Sequence, residues 1–254
     1  MHLFNSGLAP STIATSISAI SYIHKLADRP DPTHSFVVQK MLKGTTKLRG
    51  SQDPRLPITE DILTGLISSC ATVFQDPYDV ILMQAVYSTM FHAFLRIGEA
   101  AIRSTKDIQK VIQLKDVSFP PSADSSPSMS IHIKHFKHNK SKDPFVIIIQ
   151  SSPKFPCPVS LMKAFISLRG NNPGPLFAFR DGRPLNQSTF STLFKRSLSS
   201  LGLDPNLYLP HSFRIGACTH AASKGLPPAE IQYLGRWGSS AFMRYIRYSS
   251  LFSP

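Results

Sequence analysis

Three short motifs near the C-terminus carry side chains that could act together on a phosphate group. His211 stands three residues before Arg214, a spacing that places two side chains on one face of a helix. Trp237 ends a Leu-Gly-Arg-Trp sequence, and Tyr245 follows eight residues later. A guanidinium can grip two phosphate oxygens at once, and a phenol with cations and a proton acceptor nearby can act as a nucleophile. These residue types therefore indicate an attack on phosphate.

Each of these residues also has an ordinary structural interpretation. A Tyr on a C-terminal amphipathic helix is usually a buried aromatic, and a single Trp often anchors a core. A His and an Arg three residues apart often lie on a solvated face. Tyr233 and Tyr248 lie near Tyr245 in the chain and could also supply a phenol. The motifs gain weight only as an ordered set.

The order of the motifs resembles the tyrosine recombinase (phage integrase-like) family. The signature of that family is Arg, Lys, His-x-x-Arg, His or Trp, and Tyr. Arg96 lies in a Leu-Arg-x-x-Glu sequence, as the family's first Arg does, and Glu99 would orient that region. His211 and Arg214 match His-x-x-Arg, and the resemblance covers roughly residues 59 to 248.

The resemblance implies a catalytic set that consists of Arg96, Lys137, His211, Arg214, Trp237 and Tyr245. The Tyr would attack the scissile phosphate, while the two Arg and the ring N–H of the Trp would bind its oxygens. The His would help to take up the phenolic proton. The Lys, expected on a β-hairpin, would donate a proton to the departing 5′-oxygen. Three nearby lysines could replace Lys137 in that role: Lys134, Lys140 and Lys142.

Within the family, the combination of His-Ser-Phe-Arg, Gly-Arg-Trp and Met-Arg-Tyr-Ile-Arg looks most like the recombinases of eukaryotic mobile elements, such as DIRS-like retrotransposons and cryptons. That resemblance implies a nuclear location. The interval from Trp237 to Tyr245 is one residue shorter than in Cre-like members. The chain ends nine residues after Tyr245, so we expect the C-terminal helix that some members dock onto a neighbouring protomer to be absent or minimal.

The composition favours a polyanionic partner. The 254 residues include 28 Lys and Arg against 15 Asp and Glu, which gives a net charge of +13 and a sequence pI of about 9.9. The unpaired basic residues must face solvent or a polyanion, and nucleic acid is the leading candidate. A membrane surface is the alternative, but no basic amphipathic helix supports it. No membrane span or secretory signal is recognisable, so we expect an intracellular protein.

The cysteine and histidine patterns do not favour a metal site. Three cysteines without a CxxC spacing argue against both a disulfide framework and zinc. His132, His135 and His138 form a triplet, but the first two would point to opposite faces of a strand. We therefore expect neither a metal nor any other cofactor.

Hydrophobic periodicity predicts a mostly helical fold with one small antiparallel sheet. The first helix would begin with Ser11 as its N-cap, and a second would stop at Gly44. Later helices would begin at Thr59 and after Asp76-Pro77, and would cover 159–168 and 186–201. Strands are predicted in the runs 111–114, 130–133 and 145–149. Of the final helices, one would carry His211 and Arg214, and a second would carry both Trp237 and Tyr245.

We expect two domains. Residues 1–50 would form part of a helical core-binding domain that is cut at its start, followed by a linker to about residue 56. Residues 57–254 would form a tyrosine recombinase catalytic domain. Together they would clamp duplex DNA. Basic residues expected to contact DNA are Lys47, Arg49, Lys134, Lys140, Lys142 and Arg244.

The predicted activity is site-specific cleavage and rejoining of DNA strands through a 3′-phosphotyrosyl intermediate, in the recombination or integration of a mobile element. It would need no divalent cation, and the protein would associate with itself on DNA as a dimer to tetramer. Three alternatives are open: a DNA-binding remnant without catalysis, a type IB topoisomerase, and an unrelated helical domain that binds RNA. The topoisomerase would relax supercoils as a monomer, whereas a recombinase needs two paired sites.

Overall fold

The chain divides into two compact units, Met1–Pro54 and Arg55–Pro254. The structure, a computed structural model, describes residues 2–49, 54–121, 127–137, 139 and 143–247. Within those residues no helix is both long and apolar enough to cross a membrane. The fold is mostly helical with one small antiparallel sheet, which confirms the predicted fold class.

The first unit contains helices α1 (His2–Asn5), α2 (Pro10–Leu26) and α3 (Phe36–Arg49), with a 3₁₀ turn at Pro32–His34. Two predicted boundaries here were wrong. Helix α2 begins one residue before Ser11, with Ala9 as its N-cap, because Pro10 is already suited to the first helical position. Helix α3 continues through Gly44 to Arg49, five residues beyond its predicted end. A glycine ends a helix when it takes a left-handed conformation, and Gly44 does not.

The second unit is built around a buried helix. Its helices are α4 (Glu60–Val73), α5 (Pro77–His92), α6 (Ile97–Ala100), α7 (Pro158–Arg169), α8 (Gln187–Ser200), α9 (Ser212–Ser223) and α10 (Pro228–Leu234). Residues 85–91 of helix α5 are all buried, and the helix packs against α4, α7 and α9. The Tyr87 ring at its centre lies 5.7–6.0 Å from three phenylalanine rings of α8 and α9. The predicted starts of α4 at Thr59 and of α5 at Asp76-Pro77 are confirmed by their capping hydrogen bonds.

The sheet has three antiparallel strands in the order β1 (Val117–Ser118), β2 (Ser128–Ile133) and β3 (Phe145–Gln150). In β2 and β3 the register pairs Ile131 with Ile147. The prediction of a strand at 111–114 was wrong. Ile112 donates its N–H to the carbonyl of Glu99 in the short helix α6 and accepts from Leu176 in a loop, so these hydrogen bonds do not go to a neighbouring strand.

Candidate active site

Arg214 is the most deeply buried functional side chain of the site. It lies in the first turn of α9 with no exposed surface. Its Nη1 donates to the carbonyl oxygen of Phe94, and its Nη2 donates to that of Gly235 at 2.7 Å. Its Nε is buried without a hydrogen-bond partner among the described residues. The indole of Trp237 covers the guanidinium, with Cζ 4.3 Å from the ring centroid.

Burial, followed by the nearby charge of Arg96, lowers the pKa of Arg214 to about 9. The carboxylate of Glu99 and the phenol of Tyr245 act in the opposite direction. Keeping this cation in the interior therefore costs free energy. An anion that approached the guanidinium would offset that cost, so the site is suited to a phosphate.

A close backbone approach sets the position of α9. A Cβ atom on Gly216 would lie 1.8 Å from the carbonyl oxygen of Ile58, so only glycine fits at this residue. The N–H of Ile58 donates to the carbonyl oxygen of Ser212 at 3.1 Å. The segment before α4 is therefore joined to the start of α9, directly beside His211 and Arg214.

Tyr245 lies against two of the other predicted catalytic residues. Its ring centroid is 4.9 Å from that of His211 and 5.6 Å from that of Trp237. The expectation that one helix presents Trp237 and Tyr245 was wrong, because Trp237 follows the end of α10 and Tyr245 ends a 3₁₀ helix at Ser240–Tyr245. The hydroxyl of Thr219 on α9 donates to the carbonyl oxygen of Tyr245 at 3.1 Å and so fixes the end of the 3₁₀ helix.

Arg96 lies after a break that follows α5. Phe94 takes a left-handed conformation with φ 50°, and Arg96 then forms the N-cap of the short helix α6. Glu99, which is buried, accepts from the backbone N–H of Arg96 at 2.8 Å and from its Nη1 at 3.1 Å. The Nη2 of Arg96 reaches the carbonyl oxygen of Arg236 at 3.4 Å. Arg96 is thus tied to the segment that carries Trp237.

Arg236 belongs to the same cluster, although its sequence motif predicted no role for it. Its side chain is 1% exposed and forms an ion pair with Glu99 at 2.8 Å. It takes a left-handed conformation with φ 55°, which is unusual for a side chain of this size. The only signal in the sequence is its position between Gly235 and Trp237. A basic residue there is equally compatible with a solvated turn.

Lys137 lies in the connection between β2 and β3, as predicted, and its side chain is exposed. It lines a cavity of about 810 Å³ together with Arg96 and Glu99. It also lines a neighbouring cavity of about 470 Å³ together with Trp237. Lys134 lines the first cavity as well, but it forms an ion pair with the buried carboxylate of Asp116. Lys137 is therefore the better placed of these two lysines to meet a phosphate near Arg96.

The residues predicted to bind DNA have varied positions. Lys47 and Arg49 lie on α3 in the first unit, where Arg49 donates to the carbonyl oxygen of Phe4 at 2.6 Å. Arg244 is exposed beside Tyr245.

Lys140 and Lys142 lie outside the described residues, as do His138 of the histidine triplet and Tyr248. Among the side chains that are described, no group of three or more His, Cys, Asp or Glu is placed to hold a metal ion.

The family model described as "Phage integrase family" matches residues 58–250. The chain belongs to the phage integrase family. Its match begins at Ile58, the residue that contacts Gly216, and it includes every residue of the predicted catalytic set. A comparison with curated protein sequences found no match.

Solved structures of this family share the fold. The XerH site-specific recombinase bound to palindromic difH substrate is 18% identical with a TM-score of 0.65, over 96% of this chain and 65% of that one. The Tn1549 transposon integrase in complex with circular intermediate DNA is 16% identical with a TM-score of 0.61, over 97% and 78%. A lambda integrase dimer bound to a COC′ core site is 12% identical with a TM-score of 0.61, over 100% and 63%.

In two DNA complexes of the XerH recombinase, this chain spans 52% and 65% of the length of the XerH protein chain. Identities of this size establish a common fold.

Proposed function

We propose that this phage integrase family member cleaves and rejoins DNA strands through a covalent bond between DNA and Tyr245. The observation that carries the proposal is the convergence of three separate segments of the chain. The ring of Tyr245 lies 4.9 Å from that of His211 and 5.6 Å from that of Trp237, and Trp237 covers Arg214 at 4.3 Å. A nucleophile, a proton acceptor and a buried cation are thereby brought together.

The reaction follows from the chemistry of these groups. The Tyr245 oxygen would attack the phosphorus in line, forming a 3′-phosphotyrosyl bond and breaking the bond to the 5′-oxygen. His211 would take the phenolic proton, and Lys137 would donate a proton to the departing oxygen. Arg96 and Arg214 would stabilise the negative charge of the transition state. A 5′-hydroxyl could reverse the attack, since a phenoxide is a fair leaving group, and reseal the strand.

This mechanism requires a movement of Trp237. Arg214 is fully buried under the indole, so a phosphate oxygen can reach its Nε only when the indole shifts. Trp237 is the only Trp in the chain, and its fluorescence reports on this movement directly. We expect its emission to change when duplex DNA is added. Unchanged emission in the presence of saturating DNA would contradict the access route.

The biological setting remains a prediction. The His-Ser-Phe-Arg and Gly-Arg-Trp sequences support a recombinase of a eukaryotic mobile element, and with it a nuclear location. The net charge of +13 supports binding to double-stranded DNA, with an affinity that falls steeply as salt rises. Recombination between two sites would also require self-association on DNA.

The test is covalent trapping in the presence of EDTA. The substrate is a pool of duplexes with randomised sequence and a nick a few nucleotides 3′ of each candidate cleavage position. The short 5′-hydroxyl fragment then diffuses away, and the strand cannot be resealed. We expect an adduct that survives denaturation and maps to Tyr245. Tyr245→Phe should abolish the adduct, whereas Tyr233→Phe, which changes an exposed Tyr of α10, should retain it.

The other outcomes are informative. DNA binding without an adduct would indicate a binding protein that lacks catalysis. An adduct that maps to Tyr233 or Tyr248 would show that the nucleophile is misidentified. An adduct that requires magnesium would contradict a mechanism in which arginines alone stabilise the phosphate.

A further inference from the structure

Arg236 joins two segments of the chain that carry candidate catalytic residues. Its Nη1 donates to the carbonyl oxygens of Ala93 at 3.3 Å and Leu234 at 3.0 Å. Its Nη2 donates to the carbonyl oxygen of Phe94 at 3.0 Å and to Oε2 of Glu99 at 2.8 Å. All four Nη hydrogens are therefore used in directed bonds, which only a planar guanidinium can make.

These acceptors lie where helices end. The carbonyls come from the C-termini of α5 and α10, which have no donors within their own helices. Arg96 lies two residues after Phe94, and Trp237 directly follows Arg236. Arg214 joins the same two segments, because it donates to the carbonyls of Phe94 and Gly235. The relative position of Arg96 and Trp237 thus depends on this set of bonds.

We propose that Arg236 is a positioning residue for strand cleavage, which sets the place of Arg96 and Trp237 around the phosphate without touching it. The inference rests on the proposed function. Arg236 uses four of its five N–H donors on protein acceptors, whereas Arg214 uses two, so Arg214 and not Arg236 has donors to offer a phosphate. Arg236 affects Arg96 directly, because its carbonyl oxygen accepts from Nη2 of Arg96 and its guanidinium shares the carboxylate of Glu99.

The shared carboxylate also sets the net charge of the group formed by Glu99, Arg96 and Arg236. Glu99 accepts from Arg96 through Oε1 and from Arg236 through Oε2, so one anion is divided between two cations. Without Arg236, the carboxylate would be paired with Arg96 alone and would neutralise it. With Arg236 present, the cluster retains a net positive charge that can be directed at a phosphate.

The test compares Arg236→Lys and Arg236→Ala with Arg183→Ala, which removes an equal charge from an exposed ion pair with Asp181. Adduct formation is measured at saturating nicked duplex, alongside DNA affinity and thermal unfolding. We expect Arg236→Lys to slow cleavage by about 100-fold. DNA affinity should stay within about threefold of wild type, because it depends on exposed phosphate contacts. Arg183→Ala should cleave at the wild-type rate.

Chemical rescue separates positioning from simple support of the fold. Guanidinium added to Arg236→Ala should restore part of the cleavage rate, whereas methylammonium should not, because it lacks the planar donors. Emission from Trp237 should change in Arg236→Ala and return towards the wild-type spectrum with guanidinium. If Arg236→Ala does not fold, the rate and emission of Arg236→Lys decide the matter.

The failures are distinguishable. A wild-type protein that forms no adduct refutes the cleavage function. Wild-type adduct formation together with an unchanged rate in Arg236→Lys refutes the positioning role alone. A loss of rate that only parallels the loss of folded protein also refutes it.

Discussion

The two sides of the candidate site are built differently. The arginine side (Arg96, Arg214 and Arg236 around Glu99) is mostly buried and is cross-linked by hydrogen bonds to backbone carbonyls. The lysine side (Lys137 in the β2–β3 connection) is exposed. The difference corresponds to the chemistry that we propose for each. Two guanidiniums must be aligned before the phosphate arrives, whereas a proton donor on a flexible stem can reach its target afterwards.

The largest effect is expected on the arginine side, from Arg214→Lys. The ammonium would stay buried but could not bond to the carbonyls of both Phe94 and Gly235. We expect cleavage to slow by about 100- to 1000-fold. The free energy of unfolding should fall by about 2 kcal/mol. Rates of adduct formation and urea unfolding measure the two effects. A cleavage rate near that of wild type would show that the arginine side is not needed.

On the lysine side, we expect one substitution to change the cleavage rate and another to change the free energy of unfolding. Lys137→Ala should slow cleavage by about 100-fold while leaving the free energy of unfolding within about 0.5 kcal/mol of wild type. The matched variant Lys134→Ala should do the reverse. It leaves the buried carboxylate of Asp116 without its ammonium partner, which should cost about 1–3 kcal/mol, with little effect on the rate. Slow cleavage by Lys134→Ala together with a wild-type rate in Lys137→Ala would show that Lys134 is the general acid.

Gly216→Ala tests how rigidly the arginine side is supported. The new methyl would lie 1.8 Å from the carbonyl oxygen of Ile58, so the backbone must move. We expect a loss of about 1–3 kcal/mol in urea unfolding. Gly44→Ala is the control of opposite sign. A Cβ atom on Gly44, in the interior of α3, would meet open space. Because Ala is more stable than Gly inside a helix, the substitution should stabilise the first unit by about 0.5–1 kcal/mol. Equal effects at the two glycines would argue against the close approach.

The smallest effect concerns pH. His92 lies at the end of α5, next to Ala93, and burial lowers its pKa. The unfolded chain therefore binds this proton first as the pH falls, and folding stability should decline below about pH 6.5. The contribution of one His cannot exceed about 1.4 kcal/mol per pH unit. Urea unfolding between pH 5 and 8 measures it, and His92→Asn should flatten the profile. An unchanged slope would show that His92 is not responsible.

Local sequence rules succeeded where neighbouring residues decide the structure. The caps at Thr59 and Asp76 begin their helices as predicted, because a side-chain oxygen binds an N–H two or three residues later. The rules failed where distant partners decide. The run 111–114 has strand-like composition, but its backbone bonds to Glu99 and Leu176. Gly44 continues a helix because nothing requires a left-handed conformation there.

The amino-acid sequence by itself determined the family resemblance, the basic charge and the order of the six candidate residues. These depend only on residue type and spacing, which can be read without coordinates. Tertiary structure alone decided that Arg214 is buried beneath Trp237, that Lys134 is occupied by Asp116, and that Arg236 belongs to the site. Each of these contacts joins residues that are 18 or more positions apart, or depends on a backbone conformation that local propensity disfavours.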